Sequence, residues 1–428
     1  MIHYITAIGI GQPWVATELQ VMRRQRIPWV LHAMRASGEP LFESEQVLSF
    51  DRSTKVLYPL SPTRILLAAM VAPFLFRTQF CSALLNALFG KRESLRARIA
   101  GIAHFFVACH WVRALRQQDV SHIHSQWIHS CGTIGMYGAW LLGVPFSFTG
   151  HAVDLFRDRA ALEDKIRRAD FIVCISAFHR EFYLNYGARP EQLILAYCGI
   201  DVSHFQPNGR QVRAGKAIRI LSSGRLVEKK GFRYLIEACR LLSNRGEQYE
   251  CTIAGSGPLE ETLREQVSEL GLSDRITVTG KPLTQEQLPE FMRSGDIYCL
   301  PCVWAADGDV DGLPQMLMEA MACGLPVIST PVTGIPDLVI DGETGLLVQS
   351  RNAEQLADAL YTLLRDRQLR QRLAQQGRAF VTEQFNIKTS LDPLVRRFRT
   401  ALGTTGTSAV VTAMPEAQVA RSSGKSLS

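Results

Sequence analysis

Ten cysteines are present, but they have no regular spacing. Several lie inside apolar runs (Cys174, Cys239, Cys251), which excludes a disulfide-stapled small domain and points to reduced core thiols. The pair Cys299 and Cys302 has no second pair to complete a zinc or redox site and ends an apolar strand, so structural cysteines are expected. The N-terminus lacks a basic stretch followed by a small-residue cleavage site, and no uninterrupted apolar run reaches the roughly 18 residues that cross a bilayer. Neither a signal peptide nor a transmembrane helix is expected. Acidic side chains are scarce in one place: residues 60–120 carry eight Lys and Arg but only Glu93 and Asp119.

What is present describes an ordinary folded protein. With 428 residues, 46% apolar and 20% charged, the chain exceeds what one core supports, so two domains are expected. The net charge of +7 lies wholly in the first half: residues 1–210 hold 22 basic and 15 acidic side chains, residues 211–428 hold 25 of each. The basic and apolar region 60–120 suits peripheral contact with an anionic membrane or an anionic acceptor; no nucleic-acid partner is expected. With reduced cysteines, a cytoplasmic location at the inner face of the plasma membrane fits.

Short apolar strands alternate with helical stretches along both halves. The first half reads as strands at 2–8, 29–34 and near His122, Phe146 and Ile172, with one long helical region over 64–118. The second reads as strands at 218–222, 249–254, 276–279, 297–300 and 326–329 with helices between them. Alternation of this kind predicts α/β domains with doubly wound, Rossmann-like parallel sheets. A polar stretch at 206–215 marks the linker. The expected domains are 1–210 and 211–382, followed by a helix at 383–402 that returns to the first domain and a disordered tail at 403–428.

Three successive strand-end loops of the second half carry ligand-compatible chemistry. Ser222 to Gly231 places Arg225 and Lys230 after a strand, where a planar fork and a compact cation suit a diphosphate. Ala254 to Pro258 offers Gly255 and Gly257 for close backbone approach to a phosphate or ribose, and Gly280 and Lys281 occupy the equivalent place one unit later. Downstream, Asp311-Gly312-Leu313-Pro314-Gln315-Met316-Leu317-Met318-Glu319 opens a helix with acidic residues at its approach and eight positions on.

That last segment, with the Gly-Arg-Leu and Ala-Gly-x-Gly-Pro loops in the same order, resembles the acidic-x7-acidic signature of family 4 retaining glycosyltransferases of the GT-B fold, including members that assemble bacterial exopolysaccharide or lipopolysaccharide. The resemblance is specific over about 218–348. It implies two Rossmann-like domains facing a cleft, with the acceptor on the first and a nucleotide diphosphate sugar, UDP- or GDP-linked, on the second. By resemblance Glu319 binds the donor ribose, Asp311 meets the transferred hexose in place of the usual Glu, and Arg225 and Lys230 serve the leaving diphosphate. The helix start from Gly312 through Leu313, Pro314, Gln315 and Met316 faces the donor.

In the first half the segment from Phe146 to Asp154 resembles the family's strand end, which puts His151 beside sugar and phosphate. Gly11, Gln12 and His124 fall on the acceptor side, for a glycan or lipid-linked saccharide. No cofactor and no metal is implied. Asp307-Gly308-Asp309 imitates an Asp-x-Asp metal clamp but sits in a loop before the acidic signature, and His122, His124 and His129 read as packing. The implied reaction proceeds with retention, and the leaving diphosphate helps to take the acceptor proton. A nucleotide-sugar epimerase or phosphorylase on the same fold, and a non-catalytic sugar-nucleotide-binding module, are the alternatives.

Overall fold

The computed structural model describes residues 1–10, 12–38, 45–157, 159–207 and 217–403. Strands such as β1 (Ile2–Ile8) are almost entirely buried instead of alternating toward water. Such strands need cover on both faces, which crossover helices between parallel strands provide. In the N-terminal sheet β1 pairs on one side with β2 (Trp29–Arg35), which pairs with β3 (Lys55–Val56). On the other side follow β4 (His122–Gln126), β5 (Phe146–Thr149), β6 (Phe171–Cys174) and β7 (Leu193–Leu195), all parallel. The register sets Ile2 opposite both Trp29 and His122.

The C-terminal sheet repeats the plan with β8 (Ile218–Ser223), β9 (Tyr249–Ala254), β10 (Ile276–Val278), β11 (Ile297–Cys299), β12 (Val327–Ser329) and β13 (Leu346–Leu347). Its spatial order is 10-9-8-11-12-13, against 3-2-1-4-5-6-7 in the first sheet. Both orders reverse beside the domain's first strand, and the carboxyl ends of strands at such a reversal form a crevice where ligands bind.

The expected linker and domain boundary fall largely on residues 208–216, outside the described residues, as does the tail beyond 403. The chain passes between domains near 200 and again near 386, and the two crossings pair: Ile200 N–H donates to Phe385 O and Ile387 N–H to Ile200 O, each at 2.9 Å. The returning segment, Ile387–Ser390 and Asp392–Ala401, docks on the N-terminal domain. Its Phe398 ring lies 5.4 to 5.8 Å from those of Tyr4, His122, His124 and Phe171.

The single helical region expected at 64–118 is a hairpin of two helices, Pro62–Phe89 and Leu95–Leu115, with the Ser94 hydroxyl capping the second by accepting from Ala97 N–H. By length and composition alone Pro62–Phe89 passes for a span, with an 18-residue window of mean hydropathy 1.5 that is 22% buried, but the non-helical Arg77 divides it into two shorter runs. Scattered Thr, Arg and Gln interrupt its apolar residues, so a search for unbroken runs passes over it.

Candidate active site

Three loops leave the carboxyl ends of β8, β9 and β10 side by side. Gly224 N–H donates to Ala254 O at 3.0 Å and Leu226 N–H to Ser256 O at 2.9 Å, stitching the first loop to the second. At Gly255, where φ is +149°, a Cβ would stand 1.9 Å from Gly224 O, so only glycine permits this approach. The Thr279 hydroxyl ties in the third loop by accepting from Gly255 N–H at 3.3 Å and Lys281 N–H at 3.2 Å. Gly257 and Gly280 lie in the same stitched floor, and the Lys281 side chain is exposed.

The two basic residues of the first loop differ in setting. Arg225 is exposed and makes no side-chain hydrogen bond or ion pair with any described residue. Lys230 ends the one-turn segment Glu228–Lys230, is buried, and pairs with Asp311 Oδ2 at 2.6 Å. Lys229 reaches Asp311 Oδ1 at 3.3 Å and Asp309 at 3.2 Å. Burial alone would raise the Asp311 carboxyl, but the two lysines outweigh it and hold the group below the usual carboxylate range. Burial alone would lower Lys230, and Asp311 outweighs that in turn.

From Gly312 and Leu313 the chain enters helix Gln315–Ala322 through Pro314, which has no side-chain group to cap it, and no acidic residue stands in its first turn. The opening N–H groups at Gln315 and Met316 therefore present the positive end of the helix to an anion. Glu319, one turn in, is 2% exposed, and its Oε2 has no hydrogen-bond partner. Burial pushes its carboxyl up to about 8, with the Lys230 charge pulling the other way. Buried polar atoms are nearly always hydrogen-bonded, and this oxygen is one of ten buried side-chain atoms without a partner among the described residues.

On the N-terminal side His151 follows β5, packed between the Trp14 and Trp127 rings, each 5.3 Å away, with Gln126 Oε1 at 3.4 Å from Nε2. Burial pushes its imidazole down to about 3, so the ring is neutral. Asp154, in the wide π-type turn Val153–Arg157, accepts from His151 N–H at 2.8 Å and from Ile128 N–H, joining the loops after β4 and β5.

His179 carries no motif, and sequence reasoning passed over it. Its Nδ1 shares a 2.6 Å hydrogen bond with Ser176, and its Nε2 is buried without a partner. A Cβ on Gly312 would come within 2.9 Å of its ring, so His179 brings the N-terminal domain against the start of the acidic segment. Nearby, Ala177 N–H donates to Asp337 at 2.6 Å, and the Phe156 ring lies 5.4 Å from Trp304. Arg157 pairs with Asp307 at 3.2 Å, so Asp307 and Asp309 both face cations. Among the described residues no group of three His, Cys, Asp or Glu is arranged to hold a metal.

The structure does not bring His124 to the cleft wall, which corrects its expected acceptor role. It is fully buried, and its ring nitrogens are taken by Ser147 at 2.8 Å and Thr149 at 3.2 Å. Gln12 is the N-cap of helix Pro13–Arg24, and Gly11 lies outside the described residues.

Two family models match the chain: Glycosyltransferase Family 4 over residues 91–204 and Glycosyl transferases group 1 over residues 208–380. The amylovoran biosynthesis glycosyltransferase AmsK of Erwinia amylovora is 36% identical over 220 residues, which are 50% of this chain and 53% of that protein. The GDP-mannose-dependent alpha-(1-6)-phosphatidylinositol monomannoside mannosyltransferase of Mycobacterium tuberculosis is 31% identical over 228 residues, 51% of this chain and 59% of that one. The matched stretch thus spans about half the length of these curated relatives. Among solved structures, Anabaena HepE in complex with UDP has a TM-score of 0.70 at 17% identity, covering 93% of this chain and 99% of that one, a likeness of fold. With two parallel-sheet domains in the GT-B arrangement and family matches that follow one another along both of them, the chain belongs to the group 1, family 4 glycosyltransferases.

Proposed function

We propose that this protein moves a hexose from a UDP- or GDP-sugar to a hydroxyl of a glycan or lipid-linked acceptor, with retention of configuration. One observation carries the reading: the buried, unpartnered carboxyl oxygen of Glu319 lies within reach of the Lys230 charge, on a helix whose start is uncapped. A carboxyl that can meet ribose hydroxyls, beside cations and N–H groups for a diphosphate, matches the chemistry of a nucleotide sugar.

In this reading Arg225 and Lys230 stabilise the charge that grows on the departing diphosphate. The anomeric carbon's bond to the phosphate oxygen breaks, its bond to the acceptor oxygen forms on the same face, and the acceptor proton passes to the departing phosphate. No protein nucleophile is needed. His151, neutral, orients a hydroxyl of the sugar, while Asp311 fixes Lys230 and contacts the transferred hexose. Arg225 and the helix start offer the uncompensated positive charge to the diphosphate, Lys230 is held beside them by Asp311, and in this reading the reaction runs without an added metal.

The setting we propose is exopolysaccharide or lipopolysaccharide assembly in the cytoplasm, at the inner face of the plasma membrane. The names of AmsK and of the phosphatidylinositol mannoside enzyme support it, as do ten free thiols. A thermal-shift panel of UDP, GDP and their sugars tests the donor assignment. One nucleotide class should raise the unfolding midpoint by mass action, and no shift with any of them would refute it. Nucleotide release that depends on acceptor then separates transfer from mere binding.

A further inference from the structure

We infer that the hairpin of Pro62–Phe89 and Leu95–Leu115 lies in the surface of an anionic lipid bilayer, inserting apolar side chains without crossing it. This deepens the peripheral placement proposed above and rests on that placement.

Helix Pro62–Phe89 is apolar on two sides. One side, with Ala68, Ala72, Phe76, Phe80, Ala83 and Ala87, is buried within the domain. The opposite side stands free: Leu66, Met70 and Phe74, spaced by four, form one stripe on the first run, and Phe89, Leu95 and Ile99 form a second exposed apolar group at the hairpin turn. These six are 62% to 81% exposed. Isolated exposed apolar residues are normal, but a continuous patch of large ones marks a contact surface.

The geometry decides between spanning and lying flat. Arg77, at φ 45° and ψ −116°, breaks the helix into runs over 62–76 and 78–89. At about 1.5 Å per residue these reach only about 22 and 18 Å, short of the roughly 30 Å hydrocarbon core. The partner helix is also anchored: Phe105, Ala108, Trp111 and Val112 are buried in the domain core. The hairpin cannot be drawn through a bilayer without exposing that core.

Charge selects the occupant. Arg64, Arg77, Arg96 and Arg113 are exposed and make no side-chain hydrogen bond or ion pair with any described residue. Of the other cations, Arg92 is buried against Asp164 at 2.8 Å, Lys91 pairs with Glu163, and Arg98 donates to Leu88 O. The acidic residues of the region are turned elsewhere. Glu93 accepts from Ala161 and Leu162 N–H, and Asp119 pairs with the N-terminal ammonium. Exposed apolar residues with four uncompensated arginines on the same hairpin fit a surface with hydrocarbon below and anionic headgroups above.

The test is flotation of the full chain with vesicles of phosphatidylglycerol and phosphatidylcholine, against pure phosphatidylcholine, beside sedimentation of the free protein. Wild type should float with the anionic vesicles. Phe74→Ser with Phe89→Ser should weaken this at least tenfold with an unchanged unfolding midpoint. Arg64→Ala, Arg77→Ala, Arg96→Ala and Arg113→Ala together should remove the preference for anionic lipid. Undiminished flotation of the serine variant, or a dimer in solution that this variant dissociates while neither form floats, would overturn the inference. Nucleotide thermal shifts on the same samples keep its failure apart from failure of the donor assignment, because the hairpin lies outside the donor loops.

Discussion

Glu319 offers the sharpest test, because its environment makes a signed, pH-dependent prediction. Its carboxyl is shifted from an ordinary 4.5 to about 8, chiefly by burial. At about 1.4 kcal/mol per unit, the folded state favours the protonated form by roughly 5 kcal/mol. The raised value means that the folded protein holds this proton more tightly than the unfolded chain does. The associated stability is therefore fully present below pH 4.5 and is lost progressively as pH rises through about 8. Glu319→Gln keeps the shape and neutrality of the protonated form and cannot ionise. The variant should match wild type in stability near pH 4.5 and exceed it by about 3 to 4 kcal/mol at pH 8. Denaturant unfolding of both proteins at several pH values measures the gap. A difference that stays constant across that range would refute the burial argument. Calorimetry with the nucleotide completes the test: Gln should keep most of the donor affinity at pH 6, whereas Glu319→Ala should lose it through the ribose contact.

Asp311→Asn should leave nucleotide affinity within a few-fold while turnover falls by about a hundredfold or more, checked by calorimetry beside initial rates. Because the Asp311 carboxyl is held low by Lys230 and Lys229, its contribution to stability is present at neutral pH and fades as pH falls through that lowered value. The Asn variant should therefore lose less stability than wild type on acidification. Transfer should survive a chelator such as EDTA, and abolition restored only by a divalent cation would refute the charge assignment made here. Arg225→Ala and Lys230→Ala should each slow transfer by about a hundredfold, with different divisions between KM and kcat.

The neighbouring segments of the candidate site were legible because each is contiguous in sequence. Gly224 to Gly231 and Ala254 to Pro258 are strand-end loops, which parallel-sheet topology sets side by side, and Asp311 to Glu319 is the approach and first turn of one helix. The doubly wound pattern was readable for the same reason, since buried strands appear as short apolar runs. The short edge strands β3, β7 and β13 were missed. The N-terminal side was harder. His124 looked like a cleft residue, but the hydroxyls that occupy its ring come from Ser147 and Thr149 on the neighbouring strand, more than twenty positions away. His179 reads as part of an ordinary Ser-capped helix start, and only the meeting of two domains brings it to Gly312. Arg77 has no residue type that announces a helix break, so the hairpin's division into two short runs was invisible.

The contrast between Arg225 and Lys230 follows from charge balance. Lys229 and Lys230 face Asp309 and Asp311, two cations against two carboxylates, so this cluster is close to neutral before any ligand arrives. Arg225 on the next turn of chain has no carboxylate against it. An arriving diphosphate therefore meets its strongest uncompensated attraction at Arg225, in the ground state as much as in the transition state. Lys230 is held rigidly by Asp311 and contributes more as the bond to the sugar breaks and charge concentrates on the leaving phosphate, where a preorganised cation needs no rearrangement. Loss of Arg225 should thus appear largely in KM and nucleotide affinity, and loss of Lys230 largely in kcat. Equal division of both losses between KM and kcat would mean that the Asp311 pairing does not set these roles.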